Sequence, residues 1–242
     1  MKSVDHLTLD LFAEPETLAP APAAATCADV LATLRDWSEQ GLLRHLDTAL
    51  ARFIAAQDAE AAPELLVATA VLVQMEGRGH SCLPLATLVA DPNAVLAWPA
   101  DAQDGLNALW ARLATRLAQW QDALARSPLV RVAAHASDQG QPLVLGGPDD
   151  APLLYLRRYW DYERQVAAQI TARSTAVLPV AAPEVKRWLD KMFAPSPRSF
   201  DWQRLACAVA LRGRFSVITG GPGTGKTYTV ARLLALLFAT AP

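Results

Sequence analysis

The sequence predicts an α/β fold, with a helical first half and a second half in which short strands are followed by helices. Ala and Leu, at 47 and 36 of 242 residues, favour helix over sheet. Apolar residues recur at helical spacing up to about residue 126, whereas short apolar runs separated by Gly, Pro and Asp follow Pro128. With 52% hydrophobic and 19% charged residues, the chain can bury a large core and is not disordered throughout.

The first 126 residues predict a mobile tail followed by a helical domain. A mobile tail is predicted over residues 1–25, because residues 13–25 are rich in Pro and Ala and lack apolar periodicity. The helical domain is predicted over residues 26–126. Its first helix begins at Thr26, because Asp29 three residues later completes a variant of the capping box, and it ends near Gly41. The remaining apolar periodicity predicts helices over Leu42–Asp58, Glu64–Glu76 and Gly105–Arg126.

The region after Pro128 predicts a small antiparallel β unit over residues 127–158. Its three strands are Leu129–Val132, Pro142–Leu145 and Pro152–Leu156. Helices are then predicted over Tyr159–Ala172, Ala182–Phe193 and Phe200–Arg212, followed by a strand over Phe215–Thr219 and a helix over Thr227–Ala239. We expect the aromatic residues at the start of the first of these helices to be core residues: Tyr159, Trp160 and Tyr162.

Charge is distributed unevenly along a chain whose net charge is only −2. Residues 1–150 hold 9 Lys/Arg and 19 Asp/Glu, a net charge of −10, and residues 151–242 hold 13 Lys/Arg and 5 Asp/Glu, a net charge of +8. An acidic first part and a basic second part indicate two modules with different partners. Because DNA phosphates are bound by clusters of cations, we expect the acidic part to bind another protein.

Cysteine usage and hydropathy exclude several classes of protein. The three cysteines form no Cys-x-x-Cys pair, which fits free thiols in a reducing compartment. His80 and Cys82 lie close together, but two ligands do not complete a zinc site, so we expect no metal role for them. The longest apolar runs are too short to cross a bilayer, and the acidic N-terminus is not a secretory signal. These features favour a soluble cytoplasmic protein without a membrane partner.

A complete phosphate-binding motif, Gly-x-x-x-x-Gly-Lys-Thr, is the strongest functional signal. It consists of Gly220, Gly221, Pro222, Gly223, Thr224, Gly225, Lys226 and Thr227. Glycines allow backbone N–H groups to surround a phosphate, and the following helix directs its positive end at the same anion. Lys226 can then contact the β- and γ-phosphates, and the Thr227 hydroxyl can bind Mg²⁺. The motif predicts ATP and Mg²⁺ as cofactors, with Lys226 and Thr227 contributing to catalysis.

Gln203, 17 residues before Gly220, is the predicted contact for the base. A side-chain amide can accept a hydrogen bond from N6 of adenine and donate one to N7, which selects ATP over GTP. A lone glutamine on a helix is usually solvated. Its spacing from the phosphate loop favours the functional interpretation.

Several strings resemble a known family. Phe200–Arg204 and Phe215–Thr227 are similar to the opening motifs of superfamily 1 helicases. Three further strings narrow the resemblance to the RecD family, the alpha subunits of bacterial exodeoxyribonuclease V (RecBCD): Gly79–Leu85, Leu154–Glu163 and Val230–Leu234. This resemblance extends from about residue 28 to the end. One departure is Tyr228, where the family usually has a small hydroxyl residue.

The resemblance implies an ATP-dependent 5′-to-3′ DNA helicase subunit that acts in recombinational repair of double-strand breaks. It implies a RecA-like lobe over residues 159–242 that contacts DNA once the motor is complete. The helical domain over residues 26–126 would dock on a RecC-like subunit. The expected partners are therefore RecB- and RecC-like subunits in a heterotrimer.

The sequence ends 15 residues after Thr227, and Tyr228–Pro242 contains no Asp or Glu. A motor also needs an acidic residue for Mg²⁺ and the attacking water, arginines for the γ-phosphate, and a second lobe. We therefore expect an incomplete RecA-like lobe, from the N-terminal part of a longer protein or from a truncated gene product. On its own, this chain is expected to lack helicase activity. Two alternatives remain at this stage: a non-catalytic docking fragment and another P-loop ATPase.

Overall fold

The computed structural model describes residues 22–134, 138–194 and 200–240, so most of the predicted tail lies outside the described residues. The chain divides into an N-terminal unit, residues 1–157, and a C-terminal unit, residues 158–242. The helices of the N-terminal unit are α1 (Cys27–Glu39), α2 (His45–Gln57), α3 (Pro63–Gly77), α4 (Leu85–Ala90), α5 (Pro92–Leu96), α6 (Ala100–Trp110) and α7 (Leu117–Ala125). Its strands are β1 (Cys82–Pro84), β2 (Val130–Val132), β3 (Leu143–Gly146) and β4 (Leu153–Leu156).

Helix α1 begins at the predicted capping box. The Thr26 hydroxyl accepts a hydrogen bond from the Asp29 amide at 3.2 Å, and the Asp29 carboxylate accepts one from the Thr26 amide at 3.0 Å. These hydrogen bonds, together with one from Arg112, lower the pKa of Asp29. Because Arg112 follows α6, the N-cap of α1 also fixes the segment between α6 and α7.

Helix α3 is the centre of the N-terminal core. Pro63 occupies its first turn, where a missing N–H has no consequence, and every residue from Leu65 to Gln74 is buried. Helices α1, α2 and α7 and strands β1 and β4 all contact α3. The core around it includes residues of the sheet, such as Leu143 and Leu154. The predicted helical domain and the predicted β unit therefore share one core.

The single helix predicted over Gly105–Arg126 is wrong, because the chain leaves the helix between α6 and α7. The backbone groups of this break are bound by partners outside a helix. The Ala114 amide donates to the Glu64 carboxylate at 2.9 Å, and the Ala114 carbonyl accepts from Trp120 Nε1 at 2.7 Å. The Arg112 carbonyl accepts a hydrogen bond from the Ala25 amide. These partners replace some of the helical hydrogen bonds that the break removes.

The sheet has the order β1-β4-β3-β2. The three predicted strands are present, but the prediction that the unit is antiparallel is wrong, because β2 pairs with β3 in parallel. Strand β1 was not predicted; it pairs antiparallel with β4, with Cys82 opposite Tyr155. Asp138, between β2 and β3, is ion-paired with Arg131 and Arg157, and the hydrogen bond from Arg157 lowers the pKa of its carboxyl.

The C-terminal unit contains most of α8 (Arg157–Ser174), together with α9 (Ala182–Met192), α10 (Trp202–Ala210) and α11 (Lys226–Ala239). Helices α9, α10 and α11 form a small core of Val185, Leu189, Phe193, Cys207, Leu211 and Leu236. Helix α8 has no buried residue, so the prediction that Tyr159, Trp160 and Tyr162 are core residues is wrong. None of the described helices is long and apolar enough to cross a bilayer.

The strand predicted over Phe215–Thr219 is also wrong, since this segment has no regular secondary structure. A central strand of a parallel sheet is buried on both faces. Here Phe215 and Val217 are 41% and 70% exposed, and no strand among the described residues of the C-terminal unit pairs with the segment. An isolated apolar run has no ladder to join, so its pattern alone does not produce a strand. The described residues thus do not include a RecA-like sheet.

Candidate nucleotide-binding site

Helix α10 places Gln203 beside the phosphate loop. The Asp201 side chain caps the helix by accepting a hydrogen bond from the Arg204 amide at 2.9 Å. Arg204 in turn forms an ion pair with Asp190 on α9. These two contacts fix the first turn of α10. From this turn, Gln203 Nε2 donates to the Thr224 carbonyl oxygen at 3.3 Å. The side chain predicted to contact the base therefore contacts the loop that would hold the phosphates.

The loop needs glycine at two positions. Gly223 and Gly225 have φ angles of +75° and +80°, a region that L-residues with side chains rarely adopt. Gly225 is also the N-cap of α11, and a Cβ atom there would lie 2.5 Å from Gln203 Nε2. A side chain at position 225 would therefore displace the Gln203 amide from its contact with the loop.

The Lys226 ammonium lies inside the curve of the loop. Its Nζ donates to the carbonyl oxygens of Gly220 and Gly221, at 2.6 Å each. The Thr224 hydroxyl donates to the Gly221 carbonyl at 2.9 Å. Lys226 and Thr227 are the first two residues of α11, so both lie at its positive end, and Thr227 is exposed.

The start of α11 is fixed to the small core. Thr229 is buried, and its hydroxyl donates to the Gly225 carbonyl at 3.0 Å. The buried Cys207 thiol donates to the Thr229 carbonyl at 3.5 Å, and burial raises the pKa of this thiol, which keeps its proton in place. The loop is thus held by hydrogen bonds on its helical side.

Tyr228, the departure from the family pattern, takes part in a packing contact. The Arg232 guanidinium lies 3.5 Å from the centre of the Tyr228 ring and 4.6 Å from that of Phe193. Cation–π contacts of this kind join the first turns of α11 to the end of α9. The larger residue at position 228 therefore stabilises the site's scaffold.

A cavity of about 210 Å³ opens beside the loop. It is lined by Trp202, Gln203, Ala206, Ile218, Thr219, Gly220, Thr224, Lys226 and Thr229. A cation, a helix N-terminus and a loop with two left-handed glycines suit a polyphosphate, and the Thr227 hydroxyl suits its Mg²⁺. Four of the site residues predicted from the sequence line this cavity: Gln203, Gly220, Thr224 and Lys226. The other predicted residues belong to the same loop and helix start but are not part of the lining: Gly221, Pro222, Gly223, Gly225 and Thr227. Trp202 also lines the cavity, although the sequence did not predict it as a site residue. The sequence feature that could have identified it is an aromatic residue directly before Gln203.

Of the pair of His80 and Cys82, His80 precedes strand β1 in a segment without regular secondary structure, and Cys82 lies in β1, where it pairs with β4. No cluster of three or more metal-ligating side chains is found among the described residues.

Comparison with known proteins shows similarity to the RecD subunits of RecBCD enzymes. Residues 39–149 match the family model described as "RecBCD enzyme subunit RecD, N-terminal domain". The chain is 34% identical over 205 residues to RecBCD enzyme subunit RecD of Mycobacterium tuberculosis, covering 84% of this chain and 30% of that protein. It is 48% identical over 118 residues to the subunit of the same name in Mycolicibacterium smegmatis, covering 49% of this chain and 18% of that protein. It is 42% identical over 86 residues to the subunit of the same name in Haemophilus influenzae, covering 35% of this chain and 13% of that protein.

Two facts about these alignments bear on function. The chain spans 30% or less of the length of the relatives described, so it corresponds to part of each of them. The alignment that covers 84% of the chain is longer than the N-terminal unit of 157 residues. The similarity therefore extends into the C-terminal unit, which carries the phosphate loop.

Proposed function

We propose that the chain, whose residues 39–149 match the family model of the RecD N-terminal domain, is the ATP-binding part of a RecD-type subunit of a RecBCD-type enzyme. In the complete protein this part serves a 5′-to-3′ DNA helicase that acts in recombinational repair of double-strand breaks. The observation that carries the proposal is the meeting of Gln203, Lys226 and the glycine loop at one cavity. Nucleotide hydrolysis would supply the free energy for movement along DNA.

The roles of the site residues follow from their chemistry. Lys226 binds the β- and γ-phosphates, the N–H groups of Gly220–Thr227 surround them, and the Thr227 hydroxyl binds Mg²⁺. Gln203 binds the edge of adenine. To receive a phosphate, the Lys226 ammonium must exchange its two carbonyl partners for phosphate oxygens. Charge-assisted hydrogen bonds to phosphate are stronger than those to a neutral carbonyl, so the exchange is favourable.

The N-terminal unit serves as the docking part in this proposal. Its residues account for most of the acidic side chains in the chain, and RecD-type subunits by name belong to the RecBCD enzyme. RecB- and RecC-type subunits are therefore the proposed partners, with DNA contacted through the motor. A non-catalytic docking fragment is the second candidate, and the match to the RecD N-terminal domain model favours it, because residues 39–149 lie entirely within the N-terminal unit.

We expect the chain to prefer ATP to GTP and to lose this preference in a Gln203→Ala variant. A bidentate amide–adenine pair discriminates between purines by about 1–3 kcal/mol, roughly 5- to 100-fold in affinity. The measurement is competition of ATP and GTP, each with Mg²⁺, against a fluorescent ATP analogue bound to the whole chain.

The matched control for this experiment is Gln169→Ala, which removes an exposed glutamine from α8. It should leave the ratio of the two affinities unchanged. Equal affinities of the unaltered chain for ATP and GTP would contradict the role of Gln203. Absence of binding by either nucleotide would favour the docking-fragment candidate.

A further inference from the structure

Trp202 and its neighbour Phe200 form an exposed aromatic pair next to the phosphate loop. Trp202 is 72% exposed and Phe200 is 63% exposed. Their rings are 4.8 Å apart with an angle of 63° between their planes, so the edge of one meets the face of the other. Exposure alone does not distinguish Trp202, since Phe238 is 82% exposed; the distinguishing feature is that Trp202 lines the cavity beside the phosphate loop.

The position of Trp202 is set by rigid neighbours. It is the first residue of α10, directly after the Asp201 cap. The Arg204–Asp190 ion pair holds the same turn against α9. The indole is therefore presented by a fixed helix end, which suits a binding group whose geometry must be kept.

The cavity that Trp202 lines also contains the groups proposed to bind phosphate and the base edge. Gly220, Thr224 and Lys226 lie on the phosphate side, and Gln203 lies next to Trp202 in sequence. A nucleoside triphosphate has three parts that a protein can recognise: charged phosphates, the hydrogen-bonding edge of the base, and the flat face of the base. The loop and Gln203 account for the first two, and Trp202 is the aromatic surface available for the third.

We infer that Trp202 is the stacking surface for the purine base of the nucleotide whose phosphates lie in the Gly220–Thr227 loop. This inference rests on the proposed function and adds the residue that binds the face of the base. Stacking tolerates either purine, because adenine and guanine each present a flat π-face of similar size. Trp202 therefore sets the affinity for purine nucleotides, whereas Gln203 sets the preference for ATP.

The test compares a ligand that has a base with one that lacks it. Binding of Mg²⁺–ATP and of Mg²⁺–tripolyphosphate to the whole chain is measured by titration calorimetry. Trp202→Ala should weaken ATP binding about tenfold, the size of a base–aromatic stack, and leave tripolyphosphate binding unchanged. Trp202→Phe should retain most of the affinity for ATP. Tyr162→Ala, which removes an aromatic residue of similar exposure from α8, should change neither ligand.

The outcomes separate this inference from the proposed function. If ATP and tripolyphosphate both bind and both depend on Lys226, but Trp202→Ala binds ATP as the unaltered chain does, the stacking role is wrong and the nucleotide site remains. Equal weakening of both ligands by Trp202→Ala would also overturn it, because the effect would then not concern the base. Failure of the unaltered chain to bind either ligand would overturn both the site and the stacking role.

Discussion

Replacing Lys226 by alanine is expected to lower the affinity of the chain for Mg²⁺–ATP by roughly a hundredfold, about 3 kcal/mol, as for the loss of a charged hydrogen-bonding partner. The reason is the position of the ammonium, which lies inside the curve of the loop, 2.6 Å from the carbonyl oxygens of Gly220 and Gly221, where the proposed site would hold the phosphates. The variant should fold normally, because the two carbonyl groups it leaves are on exposed glycines that water can reach.

The measurement is titration of both proteins with Mg²⁺–ATP at several salt concentrations. Lys191→Ala is the matched control, since Lys191 is an exposed lysine of the same unit whose ammonium lies 4.8 Å from the Trp188 ring, on α9. The control should bind ATP as the unaltered chain does. Affinity of Lys226→Ala within twofold of the unaltered chain would show that the loop is only a turn.

Replacing Arg44 by alanine is expected to destabilise the N-terminal unit by about 3 kcal/mol, because it leaves a buried carboxylate without its cation. Asp47 is completely buried and accepts hydrogen bonds from Arg44 at 2.7 and 3.0 Å, besides one from the Arg44 backbone amide. These bonds raise the pKa of the Arg44 guanidinium. Arg44 also donates to the Val73 carbonyl on α3, so the same side chain joins α2 to α3.

Hydrogen–deuterium exchange of the slowest amides in α3 measures this effect, since they report the unfolding of the unit. Arg35→Ala is the control, because Arg35 forms surface ion pairs at 3.6 Å with Asp36 and Glu39, and such pairs contribute about 0–1 kcal/mol. Combining Arg44→Ala with Asp47→Asn should recover part of the loss by removing the buried charge. A loss no larger than that of Arg35→Ala would show that water already reaches Asp47.

Features set by neighbouring residues were predictable from the sequence. The capping box of Thr26 and Asp29, the helix that begins at Pro63 and the loop from Gly220 to Thr227 all depend on contacts within a few residues. A glycine loop followed by Lys and Thr is the pattern of a phosphate-binding loop, so the motif alone indicates the candidate site.

Features set by distant residues were not predictable. The break between α6 and α7 depends on Glu64, 50 residues away from the amide it binds. Strand β1 is only three residues long and exists because β4 lies beside it. The Phe215–Thr219 segment shows the opposite case, since its strand-like pattern lacks a pairing partner among the described residues. The exposure of Trp202 and its place in the cavity likewise follow from how α10 packs against the loop.

The central claim, that the chain is part of a RecD-type subunit, is tested most directly by assembly. The whole chain is co-expressed with RecB- and RecC-type subunits encoded by the same genome, and size-exclusion chromatography is run at low and high salt. The account predicts that the chain elutes with the other two subunits at both salt concentrations, and that Lys226→Ala, which alters only the phosphate loop, does so equally. Elution of a folded chain by itself, apart from a RecB–RecC-type complex, would contradict the account.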